Sequence, residues 1–173
     1  MAGVVAEETM MQPYVGTTST PVGEVETWPR VRLGCVEYYV APVYLAPIAR
    51  CDLDHVLRSW GCELPSRELV DAIWEAADLR LNPWKLTRRP MTWKNACSAE
   101  AFEDQRRRIE EQIAGREFTL LAGSHKDFAD LGSRVDLYGW HTLDGVPIEK
   151  GATSHNALYV DYSQGLRLVR RVQ

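Results

Sequence analysis

The chain has 173 residues, 45% of them apolar and 25% charged, with a formal net charge of −4. That length allows one domain with a sizeable core and an appendage. The acidic balance argues against a nucleic-acid partner, because binding phosphates needs clustered Lys and Arg, and the short basic runs at 106–108 and 167–171 read as solvated faces.

No apolar run approaches the roughly 20 residues that a membrane helix needs. No basic-then-apolar leader opens the chain. The expectation is a protein without a signal peptide or membrane span, made in the cytoplasm of the producing cell. Cys35, Cys51, Cys62 and Cys97 lack any C-x-x-C spacing, so reduced and mostly buried thiols are expected rather than a zinc knuckle.

Residues 1–30 mix Thr, Pro, Gly and Val without a helical period. Alone, such a stretch cannot bury enough apolar surface to offset its ordering entropy. It is expected to be an extended arm lying against neighbouring subunits of a homo- or hetero-oligomer, with residues 31–173 forming a single domain.

From Val31 to Pro47 the chain is rich in β-branched and aromatic residues and broken by Gly34 and Pro42, which predicts short strands. Leu53, Val56, Leu57 and Trp60 then fall at i, i+3, i+4 and i+7, with Asp52 as cap and Gly61 as stop. A second helix follows Pro65 and Ser66, with Leu69, Val70, Ile73, Trp74 and Ala77 as its apolar stripe. Residues 82–95 read as an irregular connection. A third helix spans 98–114, with Phe102, Ile109 and Ile113 inward and Gly115 closing it.

Strands are then expected at 118–121, 135–140, 146–148, 158–162 and 166–172, with Leu143-Asp144-Gly145 as a hairpin turn. Strands, then helices, then an antiparallel sheet indicate an α+β fold.

Three of the four histidines, His125, His141 and His155, fall in the last third of the chain, near Asp127, Asp136, Asp144 and Asp161. A catalytic zinc takes three protein ligands and one open position. His125, His155 and Asp161 are the candidate metal ligands, with His141 as acid, base or oxyanion donor. The same four residues, His125, His141, His155 and Asp161, are the candidate catalytic set for acid–base hydrolysis without a metal. No HExxH spacing, no GxSxG elbow, no phosphate-binding loop and no GxGxxG is present. The expectation is therefore a chain without a cofactor, zinc being the metal these residue types would suit.

The segments LPSRELVDAIWEAADLRL, SHKDF, RVDLYGWHTLDGVPIE and ALYVDYSQGLRLV resemble a family of uncharacterised bacterial and phage proteins. That family carries, in the same order, an HKKD-like element, YGWHxxDGxPIQ, a histidine, and YxDYSHGxRLV. The likeness runs from Leu64 to Val169. It implies that His125, Asp127, His141, Asp144, His155, Asp161, Tyr162 and Ser163 share one cleft. The chain departs from the pattern at Gln164, where the family tends to have a second histidine, and in its shortened SHKD. SQGLRL resembles the SHGC motif of L,D-transpeptidases only superficially, since the reactive cysteine is missing. Losing an ionisable group at a candidate site fits a non-catalytic descendant. The lack of a visible signal peptide, the arm and the departure at Gln164 fit a structural or accessory subunit of a phage virion, in its capsid or tail, built on a domain like those of envelope-acting proteins. The other reading is a peptidoglycan hydrolase.

Overall fold

The computed structural model describes residues 23–46, 48–86, 92–131, 134–152 and 157–173. They form an α+β fold, as the order of predicted elements implies. A hairpin of β1 (Arg30–Leu33) and β2 (Val36–Val40) pairs with the terminal strand β9 (Val169–Arg171) in the order β1-β2-β9. The larger sheet runs β7-β6-β5-β8, built from β5 (Lys126–Asp130), β6 (Val135–His141), β7 (Pro147–Ala152) and β8 (Gln164–Gly165). It is mixed rather than purely antiparallel, because β8 runs parallel to β5. A short parallel pair, β3 (Leu79–Arg80) with β4 (Leu121–Ala122), completes the strands.

The helices α1 (Leu53–Trp60), α2 (Arg67–Ala76) and α4 (Ala99–Ile113) follow from their apolar stripes. Leu69, Val70, Ile73 and Trp74 of α2 are all buried. Burying each such side chain contributes roughly 1.5–3 kcal/mol before entropy. The cap of α2 is Ser66, whose hydroxyl accepts from the Leu69 N–H at 3.2 Å. Gly61 ends α1 in the left-handed region at φ 57. Asp52 flanks α1 but makes no side-chain cap bond, because a 3-10 turn over Arg50–Asp52 leads into the helix. On α4 the buried positions are Ala101, Gln105 and Ile109, while Phe102 and Ile113 are partly buried. A fourth, single-turn helix, α3 (Trp93–Ala96), lies within the stretch read as irregular.

Several expectations are corrected. The strand expected at 158–162 does not form: there the backbone N–H of Tyr162 donates to Ala96, and that of Ser163 to the Asp161 side chain. The strand expected at 118–121 shrinks to β4, because the Asp78 carboxylate takes the N–H groups of Thr119 and Leu120. β5 was hidden by the charges of its KDFAD sequence, and β3 by its shortness, two residues just after α2. Among the cysteines none is buried: Cys35 and Cys51 are exposed, Cys62 and Cys97 half-buried, and all four are free.

The domain also begins earlier than Arg30. Val25 and Trp28 are buried in a core with Leu53, Phe128, Leu137, Leu166 and Leu168. The Trp28 ring lies 6.3 Å from that of Trp60, and its indole N–H donates to Gly23 at 3.0 Å. Burial of the apolar surface of Val25 and Trp28 is what draws this end onto the domain. The arm's remaining residues, 1–22, lie outside the described residues. No helix among the described residues is long and apolar enough to cross a membrane.

Candidate functional site

The parallel pairing of β5 with β8 joins the two halves of the histidine-rich third. Lys126 is in register with Gln164, and Asp127 with Gly165. The Lys126 N–H donates to the Ser163 carbonyl at 2.7 Å. SHKD and DYSQG, far apart in the chain, thereby become neighbours. Gly165 permits this approach: a Cβ there would stand 2.7 Å from the His125 Cβ and 3.0 Å from the Tyr44 ring.

Tyr44 is the hub. Its hydroxyl donates to Asp127 Oδ2 at 2.9 Å, and its ring lies 5.4 Å from the His125 imidazole. The Arg167 guanidinium stacks over that ring, 3.8 Å from its centre. Arg167 is wholly buried, and donates to the carbonyls of Ala41 and Leu121. It therefore ties together the chain after β2, strand β4 and the run between β8 and β9. His125 Nδ1 lies 3.0 Å from the Ser124 hydroxyl.

Enclosure governs the charge of these groups, because removing an ion from water is costly unless a counter-charge meets it. Burial, aided by the Arg167 charge, pushes the His125 imidazole down to about 3. Burial pushes the Asp127 carboxyl up to about 7, with Arg167 and the Tyr44 hydroxyl opposing. Burial, with Asp127 adding, also raises the Tyr44 phenol. Near neutral pH the imidazole is uncharged.

Asp161 closes a tight turn. Its Oδ1 accepts from the backbone N–H of Ser163 at 2.8 Å and from the Ser163 hydroxyl at 2.7 Å. Its Oδ2 accepts from Tyr159 at 3.0 Å. Three donors of this kind hold a carboxylate in place. Tyr162 is buried beside it, its hydroxyl accepting from the Leu86 N–H at 2.9 Å and its ring edge-on to Trp84 and Trp140. Burial raises the Cys97 thiol, and the Asp161 charge adds to that rise.

His141 is taken up by other partners. Its Nε2 lies 2.8 Å from Asp71 Oδ1 on α2, and the Trp74 ring stacks on it at 5.2 Å and 20°. Tyr138 also donates to Asp71, and Arg67 of the same helix pairs with Asp136 at 2.6 Å. Asp144 is exposed in the β6–β7 turn, where Gly145 takes φ 82. His155 lies outside the described residues. Among the described residues no group of three His, Cys, Asp or Glu side chains is arranged to hold a metal ion. Of the candidate ligands, His125 and Asp161 are described, and each has the protein partners given above.

The structure thus gathers His125, Asp127, Asp161, Tyr162 and Ser163 around the β5–β8 junction, and gives His141 and Asp144 separate surroundings. Sequence reasoning missed Tyr44, Arg167, Cys97 and Asp71. Arg167 left a trace, being the one charge in the apolar run Leu166–Val169, whose other three members are also fully buried. Tyr44 and Asp71 left none, since each meets its partner only through tertiary packing. Comparison of the chain with protein-family models, with curated proteins and with solved structures gives no match.

Proposed function

We propose that the chain is a structural or accessory subunit of a phage particle, built on a domain whose ionisable core holds the fold together. One observation carries the non-catalytic part of this reading. Asp127 and Arg167 are buried and bonded to distant parts of the same chain, while the buried His125 and Asp161 bond to Ser124 and Ser163 beside them. Side chains engaged in this way fix backbone segments relative to one another. Gln164, a neutral and buried amide, stands at the junction where the resembling family tends to carry a second histidine. The phage setting rests on the sequence resemblance. The assignment of residues 1–22 to contacts with other subunits rests on their composition, which offers too little apolar surface for a core of its own.

The test is incorporation. Mass spectrometry of purified particles should find the chain in stoichiometric amount, and removing residues 1–22 should abolish that incorporation. The cut belongs after Val22, because Val25 and Trp28 are core. Absence of the full-length chain from purified particles would sink the subunit reading.

A second reading, a hydrolase acting on peptidoglycan, is favoured by a specific feature. The environments of His125 and Asp127 push their proton affinities in opposite directions, which is how neighbouring groups divide acid and base roles. On this reading the purified chain releases soluble fragments from cell-wall sacculi. His125→Gln and Asp161→Asn would each abolish that release. Zinc analysis of the same preparations separates a metal-dependent reaction from plain acid–base catalysis.

A further inference from the structure

The three-stranded sheet ends on β1, which among the described residues pairs with β2 alone. Val31 points inward to Leu69 and Ile73, while Arg30 and Arg32 flank it with side chains 56% and 69% exposed. Arg32 lies 2.8 Å from Glu37, and Arg30 lies 3.9 Å from the same carboxylate and 5.2 Å over the Tyr39 ring. On the far side of that ring's strand, Arg170 is in register with Tyr39 and is bonded to Glu26. At the β1 edge two guanidinium groups thus share the single Glu37 carboxylate, which leaves that edge with a positive surplus.

An outer strand presents backbone donors and acceptors that another strand can use. Pairing β1 with a second β1 would set Arg30 and Arg32 against their own kind, and like charges directly opposite are destabilising. An acidic strand meets the reverse situation. Strand addition would supply main-chain hydrogen bonds, and the arginines would select the partner by charge.

We propose that the outer edge of β1 is a docking edge for an extended acidic segment of a neighbouring subunit, chosen by Arg30 and Arg32. The inference rests on the subunit reading and names the surface that reading needs. This chain supplies a suitable probe, because Glu7 and Glu8 are the only charged side chains of residues 1–22.

A synthetic peptide of residues 1–22 is titrated into the isotope-labelled full-length chain, with backbone amide shifts as readout. The expected result is binding with shifts centred on the outward-facing amides of Arg30 and Arg32, weakening as salt is raised through the screening range. The double variant Arg30→Glu/Arg32→Glu should bind about tenfold more weakly. A Glu7→Lys/Glu8→Lys peptide should recover that loss, and Arg30→Lys/Arg32→Lys should retain binding. Absence of binding, shifts centred on another edge, or affinity indifferent to charge reversal would overturn the docking edge. Those outcomes leave the subunit reading intact wherever the chain is still found in purified particles. Its absence from particles removes the subunit reading even if the peptide binds.

Discussion

Two polar clusters pack against the four-stranded sheet, and they handle charge in opposite ways. Around Tyr44 everything is enclosed: Asp127, His125 and Arg167 each have little or no contact with water. Around Asp71 the carboxylate is half exposed, its side chain 50% accessible, while its partner His141 is buried beneath it. In the sealed cluster, burial sets the proton affinities, and Arg167 meets backbone carbonyls instead of a close carboxylate. In the open one, a direct carboxylate–imidazole contact of 2.8 Å joins the buried ring to the half-exposed Asp71. Enclosure, more than residue type, decides how much each group matters to stability.

That contrast is testable, beginning with the largest effect. Arg167→Ala removes two buried hydrogen bonds and the stacking on Tyr44, and should cost about 3–5 kcal/mol in denaturant unfolding. Arg167→Lys should rescue little of this, because an ammonium lacks the planar fork that reaches both carbonyls. If Arg167→Ala unfolds no more readily than wild type, the cluster does not hold the fold.

The pH dependence sharpens the comparison further. Asp127 has an ordinary value of 3.8 and a folded value near 7, so its contribution to stability falls as pH rises between them. His125 has an ordinary value of 6.5 and a folded value near 3, so its contribution falls as pH drops through that interval. From about pH 4 to about pH 6.5 the two slopes oppose each other, and the pair together should leave stability nearly flat. His125→Gln unmasks Asp127, and stability should then decline with rising pH, by at most about 1.4 kcal/mol per unit. Asp127→Asn should give the opposite slope over the same window. Urea unfolding at several pH values reads both, and equal slopes in the two variants would contradict this account of the cluster.

Smaller effects belong to the open cluster. Tyr138→Phe removes a hydroxyl bonded to the partly exposed Asp71 and should cost about 1 kcal/mol in thermal unfolding. Asp71→Asn should cost a similar amount, and less at high salt, since solvent screens the pair. A loss equal to that of Arg167→Ala would erase the distinction between the two clusters. Smallest of all, Arg106→Ala breaks exposed pairs with Glu103 and Glu110 on α4, and should shift stability by less than about 0.5 kcal/mol.

The sequence by itself determined the three longer helices and the β6–β7 turn. α1, α2 and α4 are legible because apolar side chains recur at helical spacing, and Ser66 and Ser98 cap their helices as hydroxyls do. The turn at residues 143–145 is legible because Gly145 takes the left-handed conformation it requires. Both signals act over a few residues. Only the tertiary structure decided which chemistry-bearing residues meet. Strand pairing brings Lys126 to Gln164, packing brings Tyr44 to Asp127, and α2 takes His141 away to Asp71. Histidines close together in sequence were therefore divided between separate surroundings. Local periodicity records which side of a residue faces the core, but carries no record of what lies on the other side of that core.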